Sequence, residues 1–291
     1  MSPARLLADH GFTEVADRVW VARHSWMDVN VGLVAGRRGL VVVDTLGSAR
    51  AGAHLAEDVR RAHRTEVVAV VNTHEHWDHT FGNASLREAF PGVPIHAHED
   101  AAPAMTAAGD RAKEQFAEHP DDPHAEEVLA TRVVPADQTF SSAAVIDLGD
   151  RSVELVHPGR GHTGGDLVVV VPDADVALAG DLVEEPGPPS YGPDSFPLEW
   201  PATLDLVAGL LRPGSVIVPG HGTVVDTAFV QQQRADVGVV AETIADLASR
   251  SVPAAEALRA ADWPFPPAAL GEAVRRGYDQ LPRESRRLPL L

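Results

Sequence analysis

Short runs of β-branched residues alternate along this chain with longer stretches whose apolar residues recur at a helical spacing. Val15 to Ala22 alternates loosely and predicts a strand. Asn30 to Ala35 and Leu40 to Asp44 flank Gly36-Arg37-Arg38-Gly39, which is the pattern of a hairpin with a glycine-bounded turn. Ser48 then offers an N-cap for a helix reaching about His63. Leu55 and Val59 share one face of it, and arginines gather near its C-terminal end, where cations suit the helix dipole. Glu66 to Asn72, centred on Val67-Val68-Ala69-Val70-Val71, reads as a buried strand. A helix over Ala84 to Phe90, a short strand over Pro94 to His98 and an alanine-rich helix over about Asp100 to Glu118 follow.

His119-Pro120-Asp121-Asp122-Pro123-His124 breaks that helix and reads as a connection within the fold. Four strands come next in close order: Ala144 to Leu148, Ser152 to His157, Asp166 to Val171 and Val176 to Ala179. Helix Ala202 to Leu211 and strand Val216 to Val218 complete the pattern. From Asp226 the chain turns helical nearly to its end, with Pro253, Pro264, Pro266 and Pro267 as breakers. No internal repeat and no low-complexity tract is present. Strand blocks therefore occur twice, each followed by helices, and two sheets packed face to face with helices outside would bury both sets.

Composition narrows the chemistry. The chain has 291 residues, and 44% of them are hydrophobic, enough for a sizeable core. It carries 24 basic against 42 acidic side chains, a net charge of −18, and its single lysine is Lys113. That balance argues against nucleic-acid binding, which draws its affinity from clustered lysine and arginine. Cysteine is absent, so disulfides, thiolate metal ligands, iron–sulfur clusters and cysteine nucleophiles are excluded. Met1 to Phe12 shows no apolar run of the signal-peptide kind, and no stretch approaches the length of a membrane helix. The expectation is a soluble cytoplasmic protein with no membrane partner.

The informative segment is His74-Glu75-His76-Trp77-Asp78-His79, just past the buried strand. Residues two apart in an extended segment point to one side, so His74 and His76 can grip one metal together. Asp78 and His79 follow as the chain turns towards a helix, and can aim at a second ion nearby. The competing reading is a polar loop that happens to hold three of the protein's 14 histidines. Three later elements weigh against it. Gly161-His162-Thr163-Gly164-Gly165-Asp166 places a histidine in a glycine-rich turn, Ala179-Gly180-Asp181 puts a carboxylate at a strand end, and Pro219-Gly220-His221-Gly222 puts a histidine after a strand.

This ordered set resembles the metallo-β-lactamase fold superfamily. The likeness lies in the HxHxDH motif, the downstream histidine, the aspartate, the final histidine and Asp44 as an early strand-end aspartate, and it spans roughly residues 10 to 226. It implies an α/β (α+β) fold, the αββα sandwich, with a metal site in the cleft between the sheets. Residues 1–225 would form the catalytic domain and 226–291 a helical extension packed on it. It further implies that His74, His76 and His162 hold one ion, that Asp78, His79 and His221 hold another, and that Asp181 bridges them. Imidazoles and carboxylates suit zinc, so two Zn²⁺ per chain are expected, with iron as the alternative. A bridging hydroxide, near neutral pH, would then attack a carbonyl, with Asp78 as the catalytic residue that orients it. Asp44 and Asp166 are expected to hold ligand imidazoles or the glycine turn by hydrogen bonds.

Without a cysteine, the Asp181 pattern looks closer to glyoxalase II-like and lactonase-like relatives than to lactamases with a thiolate ligand. The function expected is hydrolysis of a small thioester, ester or lactone. The alternatives are β-lactamase-type amide hydrolysis, an iron-dependent oxidoreductase resembling persulfide dioxygenases, and a non-catalytic metal-binding member. Two loops should rim the cleft. Arg23 to Asp28 brings Trp26 and Met27, and Val183 to Trp200 brings Tyr191, Phe196 and Trp200. His96 and His98 read as the polar face of a strand, His157 as a core or surface residue, and His119 and His124 as solvated. The helical tail either caps the cleft or packs on the sandwich and supports a homo-oligomer.

Overall fold

Two mixed sheets lie face to face, and alternation along their strands decides what each face meets. The computed structural model describes residues 11–281. The reading of residues 1–10 as lacking a signal run, and the outer ends of the regions 1–225 and 226–291, lie outside the described residues. The first sheet has the order β1 (Phe12–Ala16), β2 (Val19–Arg23), β3 (Asn30–Gly36), β4 (Gly39–Val43), β5 (Val67–Val71), β6 (Ile95–His98), β7 (Gln138–Phe140). The second has the order β12 (Val216–His221), β11 (Val176–Glu184), β10 (Val168–Val171), β9 (Ser152–Val156), β8 (Ala143–Asp147). Strands β4, β5, β6 and β7 run parallel, as do β11 and β12.

Side chains on a strand alternate between faces, so Val34, Val41 and Val43 of one sheet meet Val153, Val169 and Leu178 of the other in a shared apolar layer. The odd-numbered neighbours Val31, Leu33 and Ala35 point outward onto helix α1 (Ala49–Ala62) and helix α3 (Asn83–Ala89), through Leu55, Val59 and Leu86. On the far side, Val168, Val170, Ala177 and Ala179 pack beneath α6 (Trp200–Leu210), α7 (Thr227–Ser249), α8 (Ala254–Ala260) and α9 (Gly271–Gln280). That is the αββα sandwich. Strands buried on both faces explain the near-continuous apolar runs Val67–Val71 and Val168–Val171.

Several expectations change in detail. Val15 to Ala22 is two strands, because the chain turns at Asp17-Arg18: Arg18 has a positive φ of 56°, and its N–H donates to Glu14 at 3.0 Å. Strand β11 runs on past Ala179 to Glu184, so Asp181 sits inside it, at a pairing irregularity, and not at its end. The short helices α2 (Trp77–Thr80) and α5 (Ala125–Ala130) and strand β7 were not expected; α4 (Ala101–Glu118) was. Ser48 caps α1 as expected, its hydroxyl accepting from Ala51 N–H at 2.9 Å. Among the described residues no helix is long and apolar enough to cross a membrane.

Candidate metal centre

The motif segment leaves β5 at Val71, carries His74 and His76 on a short connection, and then turns into α2 with Asp78 and His79, so its side chains fan around one point. His74, His76, His162 and Asp181 bring ligand atoms within 4.8 Å of one another, and so do Asp78, His79 and His221. All seven expected ligands thus converge in two adjoining groups. Asp181 faces both: Oδ2 is 3.7 Å from His74 Nε2, 3.4 Å from His162 Nε2 and 3.2 Å from His221 Nε2, and Oδ1 is 3.1 Å from His79 Nε2.

Each imidazole turns one nitrogen to the centre and has the other held from outside. His79 Nδ1–H donates to Asp44 at 2.8 Å, His162 Nδ1–H to the Ser190 carbonyl at 2.9 Å, and His221 Nδ1–H to the Met27 carbonyl at 2.6 Å. His74 Nδ1 lies 3.1 Å from Thr73 Oγ1, whose own proton goes to Asp44. His76 is reversed: its Nε2 meets Asp194 at 3.3 Å and its Nδ1 faces His162 Nε2 at 2.8 Å. Such outer partners fix ring orientation and tautomer, as at metal sites generally.

The donor set fits a cation. His74 Nε2 and Asp181 Oδ1 are buried and make no hydrogen bond. His162 and His76 point ring nitrogens at each other, as do His79 and His221 at 3.3 Å, an arrangement of lone pairs that calls for a positive charge between them. Burial pushes His162 down to about 4 and lowers His74 well below the usual histidine value, leaving neutral imidazoles. Burial also opposes charge on His221, yet Asp181 and Asp78 outweigh it and raise His221 to about 12; the same carboxylates, with Asp44, raise His79. His76 rises to about 9, since the hydrogen bond and charge of Asp194 overcome burial. Asp181 stays ionised against burial because His221 and His79 face it. The centre therefore seeks positive charge.

The backbone is shaped to allow this approach. A Cβ on Gly220 would lie 1.8 Å from Asp181 Oδ1, so only glycine leaves room for that carboxylate. Asp44 and Met27, non-glycine residues, adopt positive φ of 65° and 59°, a strain often found where geometry serves a site.

Asp44 holds His79, whereas Asp166 holds the turn: its carboxylate accepts from Thr163 N–H at 2.9 and 3.0 Å and from Thr163 Oγ1 at 2.6 Å. Met27 lines the cleft. Trp26 lies beside it around a smaller pocket, stacked on His124 with ring centroids 3.9 Å apart. His124 is therefore packed and not simply solvated. Tyr191 and Trp200 do not line the cleft, because both are buried in the apolar layer under α6 and α7. Phe196 does not line it either; it lies under the guanidinium of Arg160, 4.3 Å from the ring centre. His98 is buried and stacked on His157, with centroids 3.9 Å apart, so it is not on an exposed polar face.

Sequence reasoning missed Asp194, the Ser190 and Met27 carbonyls and Glu184, a buried carboxyl in the cleft wall that burial raises well above the usual carboxylate value. A backbone carbonyl leaves no trace in residue type. Asp194 sits in a Gly-Pro-Asp-Ser turn like any other loop aspartate.

The model of the metallo-beta-lactamase superfamily matches residues 24–221. The chain belongs to that superfamily. Its curated relatives include the type 2 metallo-beta-lactamase of Bacillus cereus, 27% identical over 72% of this chain and 77% of that protein. The type 2 enzyme of Bacillus sp. (strain 170) is 28% identical over 66% of each. Among solved structures, the metallo-beta-lactamase FIM-1 from Pseudomonas aeruginosa in its mono-zinc form shares the fold with a TM-score of 0.61 at 20% identity, over 78% of this chain and 94% of that one. Superfamily membership and the two His/Asp groups make this chain a metal-binding hydrolase.

Proposed function

We propose that the chain is a dinuclear zinc hydrolase that attacks the carbonyl of a small ester, thioester or lactone. The observation carrying this reading is Asp181, whose two oxygens face two complete ligand groups at once. Zinc held there would supply the Lewis acidity that activates water and polarises a carbonyl. Asp78, buried on the cleft floor 3.3 Å from His221 Nε2, offers a carboxylate to orient the attacking water.

The cleft supports a small substrate. Its volume is about 560 Å³, within the range of small-molecule sites. Met27, Trp77, Ala112, Pro186 and Pro188 give it apolar contacts for an acyl group. The prolines restrict this wall, so it reaches the substrate with little ordering cost.

A second reading, hydrolysis of β-lactams, is favoured by the names of the curated relatives. A panel of esters, thioesters, lactones and β-lactams tested with zinc-loaded protein separates the two. The proposal expects turnover of an oxygen or sulfur ester at least tenfold above that of any β-lactam. The reverse order would assign the chain to amide hydrolysis, and no turnover across the panel would refute both.

A further inference from the structure

The loop between β11 and α6, residues 185–199, reaches the metal centre twice. Its Ser190 carbonyl holds His162, and its Asp194 carboxylate holds His76. Two histidines of one ligand group thus take their orientation from a single loop, and what fixes that loop becomes decisive.

Part of the fixing is local. Glu184 accepts from the Ser190 N–H, Arg111 of α4 donates to Asp194 at 2.7 Å, and Phe196 N–H donates to the Gly161 carbonyl at 2.7 Å. The rest comes from the far end of the chain. On α9, Arg276 Nε donates to the Ser195 carbonyl at 3.0 Å and Gln280 Nε2 donates to the same oxygen at 2.9 Å. Arg276 and Gln280 are four residues apart, so they share one helix face. The Arg276 guanidinium also sits 5.5 Å from the centre of the Phe196 ring. Ser195 is fully buried and adjoins Asp194 in the chain.

Helix α9 is itself firmly seated. Ala273 and Val274 are buried in the layer beneath the second sheet, and a Cβ on Gly277 would come within 2.8 Å of Ile244, so α9 lies close against α7. We propose that α9 is a clamp on the metal centre: Arg276 and Gln280 grip Ser195, and through the adjoining Asp194 carboxylate they set His76 in the first ligand group. Both are positioning residues, and the inference rests on the metal-binding reading above.

The test measures zinc affinity of the full-length chain by competition with a chromophoric chelator, in the wild type, Arg276→Ala/Gln280→Ala, Asp194→Asn and the triple variant. The clamp predicts that Arg276→Ala/Gln280→Ala weakens one of two binding events by about tenfold, as lost outer partners do, and leaves the other nearly unchanged. It also predicts that the triple variant binds no more weakly than Asp194→Asn, because both changes act through one carboxylate. Unchanged affinity, equal loss in both events or fully additive losses would overturn it. Gln280→Ala alone, which keeps Arg276, should move the same event in the same direction by a smaller factor; should the double variant misfold, an unmoved affinity there overturns the clamp. Wild-type protein that binds no zinc would sink the metal reading and the clamp together, whereas normal wild-type binding with unaltered variants sinks the clamp alone.

Discussion

The two halves of the metal centre are built differently. His79 is held by Asp44 at the end of β4, and His221, the last residue of β12, is held by the Met27 carbonyl. Asp44 further accepts from Thr73 N–H and Oγ1, each at 2.8 Å, and Thr73 Oγ1 meets His74 Nδ1, so strand ends of the first sheet hold His79 directly and His74 through Thr73. His76 and His162 depend instead on a proline-rich loop. Sheet termini give a position little freedom, whereas a loop is only as fixed as its anchors. His79 and His74 are therefore set by the sandwich, and His76 and His162 by what packs around it.

The largest effect should come from the residue the halves share. Asp181→Ala removes oxygen from both groups, and turnover should fall by about 10³-fold or more, with zinc binding dropping below two equivalents. His162→Ala and Asp78→Ala should each abolish most turnover while affecting chiefly their own group. A steady-state assay with parallel metal analysis checks all three.

The outer partners sharpen the contrast. Asp44→Asn and Asp194→Asn should each weaken zinc binding by about 10–100-fold. Asp44→Asn should also destabilise the metal-free chain, by about 1–3 kcal/mol and by more than Asp194→Asn does, because it disturbs three buried hydrogen bonds where Asp194 has a half-buried site. Thermal unfolding of metal-free protein separates them, and equal losses of stability would erase the distinction between the halves. The smallest effect belongs to Met27→Ala. Its side chain is half-exposed in the cleft while its carbonyl holds His221, so KM for an apolar acyl substrate should rise by about tenfold or less with zinc affinity intact.

How much of this was legible in the sequence follows from the same contrast. The seven candidate ligands stood out as an ordered set of histidines and aspartates that resembles the family's motifs, and Asp44 belonged to that set. Two strand blocks with buried runs suggested two packed layers, and the family resemblance implied the αββα order. The turn at Asp17-Arg18 was hidden because alternation continues across it while the backbone reverses at a non-glycine residue. Tyr191, Phe196 and Trp200 looked like pocket walls, since aromatics in a long loop carry no mark of which way they face; the helices of residues 227–280 supply an apolar surface that draws two of them inward. Asp194, Arg276 and Gln280 were illegible for a related reason. Their roles depend on contacts 81 to 118 residues apart in sequence.

The central claim is that two ions share Asp181, and calorimetric titration of metal-free protein with zinc tests it most directly. The account predicts saturation at about two ions per chain in the wild type and one or fewer in Asp181→Ala. Saturation at a single ion in the wild type, unaltered by His221→Ala, would contradict it.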